Sequence, residues 1–168
     1  MTNYTAFMIN DQTKEAILKR FPPQYPRISA DHITYEYDVS DFGTLHHPHS
    51  VEITAIADDG NGIQALIVSV DGKQYKPDGN PYHITISYDP SKSISKEISK
   101  EGLYRPIISN FFIDHILKNK EHRFYHEPVT PPLKIDVSPA LVEKRPGEEK
   151  KLTYLPHLPN STWQPKLS

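Results

Sequence analysis

Apolar residues in this chain fall mostly into short runs that alternate or cluster as strands do, and helical spacing occurs twice. Residues 4 to 10 are mostly apolar and predict a first, central strand. Asn10 or Asp11 can cap a following helix by accepting a bond from a free backbone amide. Ala16, Ile17, Arg20 and Phe21 recur at helical spacing, and Pro22 and Pro23 end that helix. Two strands follow at 51 to 57 and 63 to 70, joined by Asp58-Asp59-Gly60-Asn61-Gly62, whose Asp-Gly and Asn-Gly steps signal a hairpin. Ile108, Phe112 and Ile116 predict a second helix over 106 to 118, with Pro106 in its first turn. Residues 124 to 130 and 133 to 137 are extended, as one last strand or two edge strands.

The pattern also repeats a string. Residues 31 to 38 read Asp-His-Ile-Thr-Tyr-Glu-Tyr-Asp, and residues 82 to 89 read Tyr-His-Ile-Thr-Ile-Ser-Tyr-Asp. Each opens a strand. Residues i and i+2 of a strand share a face, so His32 and Thr34 point one way and Ile33 the other. The same holds for His83, Thr85 and Ile84.

Composition narrows the classes. At 168 residues the chain fits one domain or two closely packed lobes. Twelve of its sixteen prolines fall after residue 75, and from Ser138 onward prolines and charges dominate. We therefore expect a domain over 1 to 137, then a proline-rich tail over 138 to 168 that makes no core of its own. That tail, with Trp163, either packs on the domain or engages a protein partner. A net charge of -2 argues against a large non-specific nucleic-acid surface. It leaves room for a small nucleotide or a single RNA end. The absence of cysteine excludes disulfides, thiolate metal sites and cysteine nucleophiles. No apolar run long enough for a membrane span and no signal peptide is visible, so a cytoplasmic protein with no membrane partner is expected.

Two imidazoles and two hydroxyls are a sufficient set for breaking a phosphodiester. One group must take a proton from the nucleophile and another must give one to the leaving oxygen. Imidazole suits both tasks, with an ordinary pKa of about 6.5. Threonine hydroxyls can bond the non-bridging oxygens where negative charge is held. With nine histidines, about one His-x-Thr or His-x-Ser match is expected by chance, so the bare tripeptide carries little. Two identical copies in matched strand settings, 51 residues apart, carry more.

These paired motifs resemble those of the 2H phosphoesterase superfamily, which includes LigT-like RNA 2′,3′-cyclic phosphodiesterases and the cyclic phosphodiesterase domain of tRNA ligases. The resemblance spans roughly residues 4 to 137, and its specific part is the two tripeptides. It implies an α+β, bilobal fold, with antiparallel sheets around a central cleft and flanking helices. It also implies a metal-independent hydrolase with His32 and His83 as the acid/base pair and Thr34 and Thr85 as phosphate ligands. Substrates in that family are 2′,3′-cyclic phosphate RNA ends, 2′-5′ oligoadenylates and cyclic oligonucleotides. Some viral and phage members destroy cyclic nucleotide immune signals.

Around the motifs, Tyr35, Glu36, Tyr82 and Arg105 are candidate substrate contacts, against strand packing or simple solvation as the alternative. Lys73 and Lys76 are lone basic loop residues, more often solvated than ligating. His46, His47 and His49 lack a carboxylate pattern, so no metal is assigned to them. No cofactor is expected, because no glycine-rich phosphate loop is present. The rivals to an enzyme are a non-catalytic nucleotide-binding module and an interaction domain with structural histidines.

Overall fold

The computed structural model describes residues 2–37, 47–91, 104–118, 124–144 and 151–153. The fold is α+β, with every strand pair antiparallel. Strand β1 (Thr2–Met8) leads into helix α1 (Asp11–Arg20). Asn10 caps that helix, its side-chain oxygen accepting from the Thr13 amide at 2.8 Å. Next come β2 (Arg27–Ile28), β3 (His32–Tyr37), β4 (Val51–Asp58), β5 (Ile63–Val70) and β6 (His83–Tyr88). Helix α2 (Tyr104–Leu117) starts two residues before the predicted boundary, and β7 (Tyr125–Ile135), β8 (Ser138–Lys144) and β9 (Lys151–Thr153) follow.

The strands form one sheet in the order β7-β4-β5-β6-β3-β1-β8-β9, with β2 also beside β6. The β4–β5 hairpin turns where expected. The Asp59 carboxylate accepts from the Asn61 and Ile63 amides, and Gly60 takes the φ of +72° that the turn requires. Strand β7 is a single strand with β4 as its partner. Pro131 and Pro132 are tolerated there because they fall in the register break between Pro128 and Leu133, where β7 is out of the ladder with β4.

The sheet has two apolar faces. Phe7, Ile17, Phe21, Ile33, Ile53, Leu66, Val68, Ile84 and Ile86 form the core on the α1 side. Ala57, Ile63, Ala65 and Ile67 meet Phe112 and Ile113 of α2 on the other. Strand β5 feeds both faces in alternation, which is why it is a near-continuous apolar run.

Two expectations need correction. Residues 138–144 do not belong to a tail. They are β8, paired with β1 from Met8↔Ser138 to Thr2↔Lys144, with Ala140 and Leu141 buried. The sheets expected on either side of a cleft are also joined as one. Between the two motif strands, however, the register pairs only Ile33 with Ile84. Trp163 and the rest of the expected tail beyond Thr153 lie outside the described residues.

Candidate functional site

The seam between β3 and β6 brings the two copies of His-Ile-Thr together. Ile33 stands opposite Ile84, and both are fully buried in the α1-side core. By strand alternation His32, Thr34, His83 and Thr85 leave on the other face, and all four are part-exposed. An antiparallel pair centred on Ile33 and Ile84 has a local twofold axis there. The two histidines and the two threonines stand at equivalent sequence positions about that pair. The neighbours agree on this face: Thr34 lies opposite Ala6, and His83 lies opposite Ile67, which packs beneath α2.

The two copies differ in how the backbone reaches them. Strand β6 is regular through its motif. The chain entering β3 is not. Ser29 and Ala30 bond to Ile86 and Thr85 at 2.8 and 2.7 Å, yet Ile33 is already opposite Ile84. Asp31 and His32 are therefore extra residues on that edge, a bulge that begins at Ala30 with φ of 59°. Bulges re-aim side chains in this way beside functional sites.

The bulge puts a carboxylate on the first imidazole. Asp31 Oδ1 is 2.6 Å from His32 Nδ1, and the His32 side chain is 17% exposed. The Ser29 hydroxyl lies 3.4 Å from the same carboxylate oxygen. Asp31 thus holds the imidazole of His32 through Nδ1.

The second imidazole has a different environment. His83 Nδ1 reaches only the Pro81 carbonyl, at a long 3.4 Å. Burial, the Lys76 ammonium and His32 together push its pKa down to about 4, with the Pro81 contact opposing them. Lys76 is 4% exposed, and burial lowers its own pKa against the pull of Asp78, whose carboxylate is 3.6 Å away. A fixed loop holds it there. The Lys76 amide bonds to the Asn80 carbonyl at 2.8 Å, the Gly79 amide to the Lys76 carbonyl at 2.9 Å, and the Tyr82 amide to the Gln74 carbonyl at 3.0 Å. The Tyr75 hydroxyl donates to Asp114 at 2.9 Å, tying the loop to α2.

The remaining candidates divide. Tyr35 and Tyr82 belong to the opposite face, where both pack against Phe7, with ring centroids 5.2 and 6.5 Å from it. Tyr82 is 4% exposed. Tyr82 is a core residue and Tyr35, partly buried, packs against the same core: each stands one position from a histidine or threonine and so points the other way. Glu36 is in β3 opposite Thr5, and Arg105 is in the first turn of α2; their side chains, like all of His46, fall outside the described part. Among the described residues no three His, Cys, Asp or Glu side chains cluster as a metal site, and no helix is long and apolar enough to cross a membrane. A cavity of about 630 Å³ opens on the opposite face, lined by Phe21, Ile56, Gln64 and Val129 among others, with no imidazole in it.

Sequence reasoning passed over Asp31 and read Lys76 as a solvated loop residue, whereas Lys76 is buried. The first was visible as the residue before His32, where the second copy has Tyr82. The second had only the turn chemistry of Lys76-Pro77-Asp78-Gly79 as a signal.

No family model, no curated protein and no solved structure matches this chain.

Proposed function

We propose that this chain is a metal-independent phosphodiesterase acting on a nucleotide by two-histidine acid/base catalysis. The observation that carries the reading is the register of Ile33 with Ile84, which turns two histidines and two threonines onto one face about a local twofold axis. Such a set can straddle a phosphorus atom. One imidazole takes a proton from the attacking water or ribose hydroxyl, and the other gives a proton to the leaving oxygen. Thr34 and Thr85 donate to the non-bridging oxygens, whose charge grows on the way to the transition state. The arrangement fits the resemblance to 2H phosphoesterases, with the two parts of the sheet beside the seam as counterparts of that family's two lobes.

The substrate class is a 2′,3′-cyclic phosphate RNA end, a 2′-5′ oligoadenylate or a cyclic oligonucleotide. The last of these includes the immune signals that some viral and phage members of the family degrade. The low net charge suits a small nucleotide.

Incubating the protein with a panel of these compounds, cyclic dinucleotides and trinucleotides included, tests the reading and separates the classes. Hydrolysis of at least one is expected, and it should persist in EDTA. Tight binding without product over long incubation would replace the enzyme with a nucleotide-binding module. Neither binding nor turnover of any compound would sink both.

A further inference from the structure

The face away from the motif histidines carries a site of its own. Where α1 stops, a cavity of about 630 Å³ opens over β7, β4 and β5. We propose that this cavity binds a purine nucleoside, with Asp58 and Gln64 reading the edge of the base and Tyr125 stacking on its face. The proposal does not rest on the two-histidine reading.

Strand register builds the site from residues that no motif marks. Asp58 of β4 stands opposite Tyr125 of β7 on one side and Gln64 of β5 on the other. Cross-strand partners share a face, so the three side chains form one row across three strands. Alternation adds Ile56 and Val129, which with Phe21 make an apolar floor. The volume lies within the range of roughly 300–1,000 Å³ found for small-molecule sites.

Two polar groups in the row have capacity left over. Gln64 lines the cavity and is 2% exposed. Its amide oxygen accepts from the Gln24 amide at 3.0 Å and the Ser87 hydroxyl at 2.6 Å, and its nitrogen donates to the Pro22 carbonyl at 3.1 Å. That nitrogen carries a second hydrogen, for which the described residues offer no acceptor. A buried donor in this condition costs free energy until something accepts from it. Asp58 is held in place by the Tyr25 hydroxyl at 2.6 Å and the Gly60 amide at 2.8 Å, and both donate to Oδ1. Burial and the Asp58 carboxylate push the Tyr25 pKa up to about 12, so its hydroxyl stays a donor. Neither bond uses Oδ2 of Asp58. An acceptor beside a donor is the complement of a purine edge, which offers an N–H next to a ring nitrogen or a carbonyl oxygen.

Tyr125 supplies the stacking face. It is 54% exposed, and its hydroxyl bonds to Glu127, two residues along on the same side of β7, which fixes the ring. A flat base laid on that ring covers it and turns an edge toward Asp58 and Gln64. The two carboxylates alone would suit an organic cation, but the rest of the lining does not. Arg20 stands on the same rim, its guanidinium 5.4 Å from the centre of the Phe21 ring, and a cation has no acceptor to give Gln64. Asp58 and Glu127 against Arg20 leave the lining one charge negative, which disfavours a phosphate and favours an uncharged nucleoside.

The test is calorimetric titration of the full chain with adenosine, guanosine, cytidine, uridine and purine riboside. Nucleosides lack the phosphate that Thr34 and Thr85 would hold, so they separate this cavity from the β3–β6 seam. Adenosine or guanosine should saturate a single site and bind more tightly than either pyrimidine. Purine riboside, whose base has acceptors but no N–H, should bind about tenfold more weakly or worse. Tyr125→Ala should weaken binding about 5- to 150-fold, the worth of stacking one base. Asp58→Asn, which puts a donor where the base needs an acceptor, should abolish binding. Tyr125 is exposed, so its variant keeps the test open if the Asp58 variant does not fold. His32→Ala should bind as the wild type does. Four results overturn the proposal: no nucleoside bound at millimolar concentration, a pyrimidine bound more tightly than both purines, purine affinity that survives Tyr125→Ala, or purine affinity lost in His32→Ala. Nα-acetyl-arginine amide binding where nucleosides do not would replace the base with a cation. Phosphodiester turnover, or its absence, bears on none of these outcomes.

Discussion

The two copies of His-Ile-Thr are the same three residues in two different settings. The second pairs regularly with β5 from His83 to Thr85, and the Lys76 ammonium disfavours a proton on its part-exposed imidazole. The first follows a two-residue bulge, and its imidazole leans on a carboxylate. Sequence identity in the motif thus fixes which face the side chains take, because alternation is a property of the strand. It does not fix their proton chemistry, which comes from the residues before each motif and from the loop that closes beside one of them.

The strongest challenge to this comparison is to remove either imidazole. His32→Ala and His83→Ala should each lower kcat by about 10²–10⁴-fold while the circular dichroism spectrum is unchanged. Equal turnover in wild type and either variant would end the two-histidine reading. Next come the isoleucines that set the register. Ile33→Ala and Ile84→Ala should each cost about 2–5 kcal/mol in urea denaturation, since both side chains are fully buried in one core. A large cost at Ile84 with almost none at Ile33 would mean the seam is not shared.

The third contrast is in pH. Unfolded His83 binds a proton near its ordinary value of about 6.5, and folded His83 resists until about 4. The unfolded state therefore holds more protons between these limits. The stabilisation from keeping His83 neutral is complete above about pH 6.5 and is lost as the pH falls to about 4, up to about 3 kcal/mol in all. Replacing His83 by Gln should flatten that part of the stability curve. The smallest effect is a control away from both copies. Asn10→Ala removes the α1 cap and should cost about 1 kcal/mol without changing kcat.

Much of the frame was legible. The cap at Asn10, the stop at Pro22, the Asp-Gly hairpin and the spacing of α2 are local signals, and local chemistry decided them. Alternation alone put His32 with Thr34 and His83 with Thr85. What escaped was long-range. Nothing in either string says that β3 lies beside β6 with Ile33 on Ile84. Strand β8 was hidden because Pro139 and the charges that follow Leu141 swamp a short apolar centre, Ala140 and Leu141. Lys76 was hidden for a different reason: a lysine is rarely buried unless paired, and its pairing with Asp78 becomes visible only once the turn is closed. The tyrosines went the other way. The strand period that puts the histidines and threonines on one face puts Tyr35 and Tyr82 on the other, against Phe7.

Strand β8 also sets an order in time. Thr2 pairs with Lys144 and Met8 with Ser138, so β1 has one of its two neighbours 130 or more residues further along the chain. Until that neighbour arrives, β1 presents an open row of amides and carbonyls with Ala6 and Phe7 behind it, which is the kind of edge that recruits other chains. Closing so distant a pair is slow compared with closing the β4–β5 hairpin. A chain stopped at residue 137 would hold that transient condition permanently, and light scattering during refolding should show it clumping where the longer chain does not.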